Sequence, residues 1–375
     1  MEVPDADLLD SLIEFEDCSA AGPGALRRSV SRDPGIAEWL PESKGQIDPR
    51  NGERILYSVA RARRPHDTGR GNASPSAWSP PARFDPACPV CNGKTTSILD
   101  VADLSGGERT FINKNLFPIA FPFEPANGQP ATVEWAGRKT RPRGFPADGC
   151  HYLQWTSSRH DRDWHNSSLS DLTVALERLA AFEETLLSGP GGGHVAIIKN
   201  FGRLVGGSLV HGHQQILHTN VLPRRIEEDR RFMDSHGQSF ARFLLEENPG
   251  SLTIRDYGRV RLVTPWFLKR TLESIAIVTD TSKEHLHQLN RAELRDLARA
   301  LRDATSTVIA LMPSLGREVA YNLAFHTGPI GGLYVEMLPF SQWIGGYVQL
   351  GIFVCQGTPR TSHRMYRQHL GPLGR

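Results

Sequence analysis

Lysine, cysteine and long apolar runs are all scarce in this chain, and each shortage closes off a class of function. Only seven lysines stand among its 43 basic residues, and with 41 acidic residues the formal net charge is +2. No strong field therefore favours nucleic acid or an anionic membrane. The five cysteines are few and odd in number for 375 residues, which argues against a disulfide framework. No apolar run approaches the ~20 residues needed to span a bilayer, and the longest, such as 347–355, are strand-sized. The opening MEVPDADLLDSLIEFED is acidic and lacks the basic-then-apolar order of a signal peptide. A soluble, cytoplasmic protein without nucleic-acid or membrane partners is expected. The arginine excess suits recognition of planar oxyanions, although codon bias explains it as well.

What is present is a globular composition, 39% hydrophobic and 22% charged, with enough apolar side chains for a sizeable core. At roughly 150 residues per domain the length suits two domains or one duplicated unit. Segments 19–35 and 65–87 are rich in Pro, Gly and Ser and read as loops around a short strand, Arg54 to Ser58. Ser168 opens a helix with an apolar stripe at Leu172, Leu176, Leu179, Phe182 and Leu186. Asn290 with Glu293 opens a second, with Leu294, Leu297, Leu301, Ala304 and Val308, and Pro313 ends it. A third helix is predicted over 226–245. Strand-like runs lie at 194–200, 214–220, 274–280, 320–328, 333–338 and 347–354.

The order of these elements is duplicated: strand, strand, long helix, strand, Gly-Gly turn, strand. KNFGRLVGGSLVHGHQQIL and AFHTGPIGGLYVEMLPF share the glycine pair but not the histidines. An α+β fold of two tandem related halves follows, with antiparallel sheets flanked by long helices. Its expected divisions are an N-terminal extension, 1–46, a first half, 47–222, and a second half, 223–375.

Chemistry concentrates around His211-Gly212-His213-Gln214-Gln215. On a strand, residues 211, 213 and 215 share one face, so two imidazoles and an amide would stand in a row. A neutral imidazole is a nucleophile, and a carboxamide donates to a phosphoryl oxygen without acting as a base. A polar strand edge is the plain alternative. Cys88-Pro89-Val90-Cys91 has the spacing of half a tetrahedral metal site. It sits in a Pro-rich loop rather than at the strand–helix junction of a thioredoxin-like redox pair. His160 and His211 are the natural remaining ligands, with His151, His165 and His218 also of the right type. Asn200 and the Gly206-Gly207-Ser208 turn precede the histidines and suit a phosphate cradle. Arg61 and Arg64 suit a bidentate phosphate clamp.

Together these segments resemble the galactose-1-phosphate uridylyltransferase family, the transferase branch of the histidine-triad superfamily, and the resemblance runs from about Ile47 to the C-terminal region. It implies a histidine-triad-like (HIT-like) fold and zinc held by Cys88, Cys91, His160 and His211. It further implies His213 as nucleophile, Gln215 as the amide that stabilises the intermediate, and Arg61 and Arg64 as phosphate contacts. INKNLF matches a segment that packs on the nucleotide, at Asn115 and Phe117. KNFGRLVGGSLVHGHQQ matches the family's Asn, Gly-x-Ser turn and His-Pro-His-x-Gln signature with identical spacing from Asn200.

The departures are specific. Gly212 replaces the signature's proline and is expected to loosen the backbone there. Ser-Arg replaces the Pro-Asp before His160, and Glu336 and Leu338 replace the second half's metal-binding His-x-His pair, though His326 remains, which leaves a second metal there an open question. YVQLGIF (347–353) replaces the run that holds the hexose. The resemblance thus implies a nucleotidyltransferase working through a nucleotidyl-histidine, on a nucleoside diphosphate sugar and a sugar 1-phosphate or phosphate, with galactose 1-phosphate not the expected substrate. It also implies a homodimer. Two alternatives stand beside this: a phosphorylase or hydrolase of nucleoside diphosphate sugars or dinucleoside polyphosphates, and a non-catalytic, zinc-stabilised nucleotide-binding protein.

Overall fold

The two long helices start where their capping residues stand. In the computed structural model, which describes residues 32, 34–38, 45–63, 78–120, 148–188, 193–329 and 331–372, helix α1 spans Leu169–Leu187 and the Ser168 hydroxyl accepts from the Asp171 amide. Two shorter helices, α2 (Arg224–His236) and α3 (Phe240–Glu247), precede α4, Arg291–Leu311. Helix α4 opens on a reciprocal cap: Asn290 accepts from the Ala292 and Glu293 amides, and Glu293 accepts from the Asn290 amide. Leu294, Leu297 and Leu301 of its stripe are buried. Each buried leucine contributes roughly 2 kcal/mol, against a few tenths for intrinsic propensity, so packing holds this helix.

Ten strands form one sheet beneath the helices. They are β3 (Ile98–Asp103), β4 (Arg109–Lys114), β5 (Gly149–Trp155), β6 (His194–Phe201), β7 (His213–Thr219), β8 (Thr253–Asp256), β9 (Val260–Val263), β10 (Ser274–Val278), β11 (Tyr321–His326) and β12 (Tyr334–Pro339). Their spatial order is β3-β4-β5-β7-β6-β11-β12-β10-β9-β8. Outward from the β6–β11 junction the sequence is β7, β5, β4, β3 on one side and β12, β10, β9, β8 on the other. The repeat in the sequence is thus an approximate two-fold in the sheet, with antiparallel pairing throughout. Helices α1 and α4 cover one face over a core that includes Ile197, Ile216, Leu297, Leu323 and Val335. Helices α2 and α3 pack on the opposite face of the second half, on Ile275, Ile277 and Tyr334. A small sheet joins β1 (Gly45–Ile47) and β2 (Arg54–Tyr57) to β13 (Ile352–Cys355), the last pairing parallel. A last helix, α5, covers Pro359–Leu370. Among the described residues no helix is long and apolar enough to cross a membrane.

Two predicted elements differ. The helix expected over 226–245 is broken at Gly237, whose φ of 66° closes α2, and Ser239 then caps α3. The strand expected over 347–354 is half helical turn, Gly346–Gln349. Extended structure starts at Ile352, the first residue with a partner on β2.

Replacing Asn290 by Ala removes the acceptor for two amides at the start of α4, and the expected loss is about 1 kcal/mol. Urea unfolding of N290A should show it, and an unchanged midpoint would contradict this account of the cap.

Candidate active site and metal centre

Residues directly opposite in an antiparallel pair share a face. Trp155 pairs with His213, Leu153 with Gln215 and His151 with Leu217 across β5 and β7, while Asn113 of β4 pairs with Leu153. Asn113, His151, Leu153, Trp155, His213 and Gln215 therefore line one cavity of about 390 Å³ on the sheet face away from α1. Gly206, Ser208, Leu116 and Phe117 border it.

The His213 imidazole is buried at one wall. Its Nδ1 lies 2.8 Å from the His211 carbonyl, an oxygen that can only accept, so the proton sits on Nδ1 and Nε2 carries the free lone pair. Burial, with the Lys199 ammonium second, holds its pKa below the ordinary imidazole value. The ring is thus neutral and nucleophilic at neutral pH.

The backbone beneath this ring is pinned. The wholly buried Lys199 of β6 donates to the His213 carbonyl at 3.0 Å and pairs with Asp163 at 2.7 Å. Asp163 also receives the Trp164 amide and the Thr156 hydroxyl. It packs so closely on Gly212 that a Cβ there would lie 2.6 Å from its Cγ and 2.7 Å from the Arg162 carbonyl. The loosening expected at Gly212 is therefore corrected: the glycine is required by close approach, and the buried ion pair clamps the chain.

Strand β7 begins only at His213, so His211 does not continue the row expected on that face. It turns instead to the cysteine loop. Cys88, Cys91, His160 and His211 each offer a donor atom within 4.8 Å of the others. The Sγ–Nδ1 separations are 3.7 Å for Cys88–His211, 3.6 Å for Cys91–His160 and 3.7 Å for Cys91–His211. A tetrahedral ion with ordinary zinc bond lengths would set sulfur and nitrogen about 3.6 Å apart. The His211 Nε2–H donates to the Ser157 carbonyl at 2.9 Å, which leaves Nδ1 unprotonated and aimed at the thiols. Burial lowers the His211 pKa to about 4, so the ring is available as a ligand. The residues fit a metal, and four protein ligands would leave no open position on it.

Other expected residues are distributed differently. Asn115 and Phe117 stand at the rim, with Phe117 82% exposed. Asn200 accepts from Asn322 and lies beneath Gly206, while Gly207 faces a neighbouring groove that Ser208 also borders. Arg61 is exposed on a 3-10 turn after β2 and does not line the cavity, because β2 is paired with the C-terminal β13. Arg64 lies outside the described residues. Of the histidines left open by type, His165 and His218 are not in the thiol cluster, and His151 faces the cavity.

In the second half, His326 is clamped between Asp229 (2.7 Å) and Glu336 (3.0 Å), and Arg50 donates to Glu336 at 3.2 Å. Burial opposes the imidazolium, but Glu336 and Asp229 raise the His326 pKa. A second cluster, Glu183, His285 and His287, docks a 3-10 turn on α1 through hydrogen bonds to that buried carboxylate.

Lys199, Asp163, Trp155 and His151 escape motif reading. The signal for the last two was the alternation of His151, Leu153 and Trp155, but nothing in the sequence pairs that strand with 213–219. A lone lysine in the apolar run 195–199 was the only sign of the clamp.

No protein-family model matches the chain. It is 22% identical to ADP-glucose phosphorylase of Arabidopsis thaliana over 312 residues, 79% of this chain and 81% of that protein. It is 24% identical to galactose-1-phosphate uridylyltransferase of Rattus norvegicus over 320 residues, 84% of this chain and 80% of that protein. The fold matches a crystal structure of the Arabidopsis thaliana ADP-glucose phosphorylase with bound ADP-glucose, at a TM-score of 0.67 and 16% identity, over 88% of this chain and 99% of that one. It also matches a uridylyltransferase structure at a TM-score of 0.61 and 18% identity, over 87% and 98%.

The geometry makes two expectations concrete. Metal analysis of the purified chain should find one tightly held ion, lost in His160→Ala together with a lower unfolding temperature. Gly212→Ala should destabilise by about 1–3 kcal/mol through overpacking on Asp163, and calorimetry showing parent-like unfolding would refute that close approach.

Proposed function

We propose, for a chain that is a divergent member of the galactose-1-phosphate uridylyltransferase family, a nucleotidyl transfer that runs through His213. The Nε2 lone pair attacks the α-phosphorus of a nucleoside diphosphate sugar. The bond from that phosphorus to the bridging oxygen breaks, and sugar 1-phosphate leaves. An oxygen of a phosphorylated acceptor then attacks the nucleotidyl-histidine, the N–P bond breaks, and neutral His213 is restored. The observation that carries this reading is the His213 ring itself: its Nδ1–H is tied to the His211 carbonyl and the ring borders a nucleotide-sized cavity.

The remaining roles follow from position. Gln215 and Ser208 border the same cavity and suit stabilisation of the non-bridging oxygens, with Gly206 beside them leaving room for close approach. Asn115 and Phe117 suit the nucleoside. Zinc, held by Cys88, Cys91, His160 and His211, would be a structural anchor, keeping His211 and hence the start of β7 in place. Arg61, which does not line this cavity, would contact a phosphate from a partner subunit. A homodimer fits the exposed apolar rim of Leu116, Phe117 and Ile119. A cytoplasmic location belongs to the same reading.

Inorganic phosphate as acceptor, which makes the reaction a phosphorolysis, is the second reading. It is favoured by the loss of the hexose-holding run at 347–353 and by the similarity to ADP-glucose phosphorylase.

Intact-protein mass spectrometry after incubation with ADP-, UDP- and GDP-sugars should reveal a nucleotide-sized adduct that is absent in His213→Ala. Release of the adduct by phosphate rather than by sugar 1-phosphates selects the second reading. Nucleotide binding unaltered by His213→Ala, with no adduct in the parent, would leave a binding protein instead.

A further inference from the structure

A carboxamide such as Gln215 has two chemically opposite ends. Its amino end stabilises a phosphoryl oxygen, its carbonyl end repels one, and the two exchange by a simple flip unless a neighbour breaks the symmetry. The neighbour in this site is His151. It stands on β5, diagonal to Gln215 on β7, since His151 pairs with Leu217 and Leu153 with Gln215. The two side chains line the same cavity, and a diagonal cross-strand pair of long side chains is close enough to interact.

The protonation of His151 is settled by what surrounds it. The Ile119 amide donates to its Nδ1 at 3.1 Å. Asn115 presents its amino group 3.2 Å from both ring nitrogens, since its own carbonyl is occupied by the Phe117 amide at 2.9 Å, so only the Ile119 amide distinguishes them. A nitrogen that receives a donor carries a lone pair, so Nδ1 is bare and the proton is on Nε2. Burial of the ring opposes a second proton.

We propose that His151 is a positioning residue: its Nε2–H donates to the Gln215 carbonyl and turns the Gln215 amino group toward the phosphoanhydride of the substrate. The inference rests on the reading of His213 as nucleophile and deepens it. It also ties chemistry to nucleoside contacts, because Ile119, whose amide sets the His151 tautomer, lies with Asn115 and Phe117 at the cavity rim.

Two measurements on the full chain test it. Nitrogen-15 NMR of histidine-labelled protein should show His151 as the Nε2–H tautomer. An Nδ1–H tautomer would overturn the inference whatever the enzyme does. In the second, the rate of adduct formation on His213 is compared in three variants. His151→Leu should slow it about ten- to a hundredfold, with little change in the half-saturating nucleotide sugar. His151→Gln, whose amide mimics the donor and acceptor of the imidazole, should recover most of that loss. His151→Glu, which can only accept, should turn the Gln215 carbonyl inward and be slower than His151→Leu. Equal losses in the Gln and Leu variants would make His151 a packing residue and overturn the inference. A parent that forms no adduct would instead sink the transfer reading, with the tautomer still deciding this one.

Discussion

The site depends on a charge pair that no solvent reaches. Lys199 and Asp163 meet beneath the backbone of residues 212–213, the lysine holding the His213 carbonyl and the aspartate packed on Gly212. Such a pair is costly to desolvate, and removing one partner leaves a buried charge that typically costs about 3–5 kcal/mol. What it supplies is placement. A proline between the two histidines would stiffen the turn by restricting φ. Here the same stretch is stiffened from outside, by an ion pair that requires glycine at its closest approach.

Two further constraints converge on the same turn. The thiol cluster holds His211 from one side, and the Ser157 carbonyl fixes which of its nitrogens faces the thiols. The His211 carbonyl in turn fixes the tautomer of His213. Each imidazole thus orients the next group through a single hydrogen bond, and burial keeps both rings neutral. An imidazole held in this way would need no general base to act as a nucleophile: its Nε2 lone pair is free, and the carbonyl at Nδ1 would relieve positive charge developed on attack.

Where the sequence was legible, one physical rule sufficed. Ser168 and Asn290 cap helices because a short polar side chain can satisfy free amides, and the stripes behind them repeat at the helical period. The Gly-Gly turns disclosed the duplication that the strand order displays as a two-fold. The CPVC loop and the His211–Gln215 segment could be found because their spacing is local. The features that stayed hidden are those made by pairing distant strands. Asp163 and Lys199 are 36 residues apart, and nothing at either position marks the other. His151 meets Gln215 only because β5 and β7 are neighbours. Gly212 was misread for the same reason: its meaning lies in Asp163, not in its own flexibility.

The two halves of the duplicated sheet engage their polar groups differently. Both halves offer the same strands to the same face, but the second fills its face with mutually neutralising groups. Arg50, Asp229, His326, Tyr334 and Glu336 form a buried network, and Lys269 joins it through Asp48. Arg50 and Asp48 lie just before β2, whose partner β13 comes from the end of the chain. The network therefore ties both termini of the fold to the second half-sheet. The Asp48, Asp229 and Glu336 carboxylates in it are matched by donors within the protein, while the Arg50 Nε has no partner among the described residues and the network borders a cavity of about 210 Å³. The first half differs: its cavity keeps an imidazole nitrogen and a carboxamide open toward the space where phosphoryl oxygens would sit. The related halves thus differ in what engages their polar groups: ion pairs around His326 in the second, a cavity bordered by His213 and Gln215 in the first.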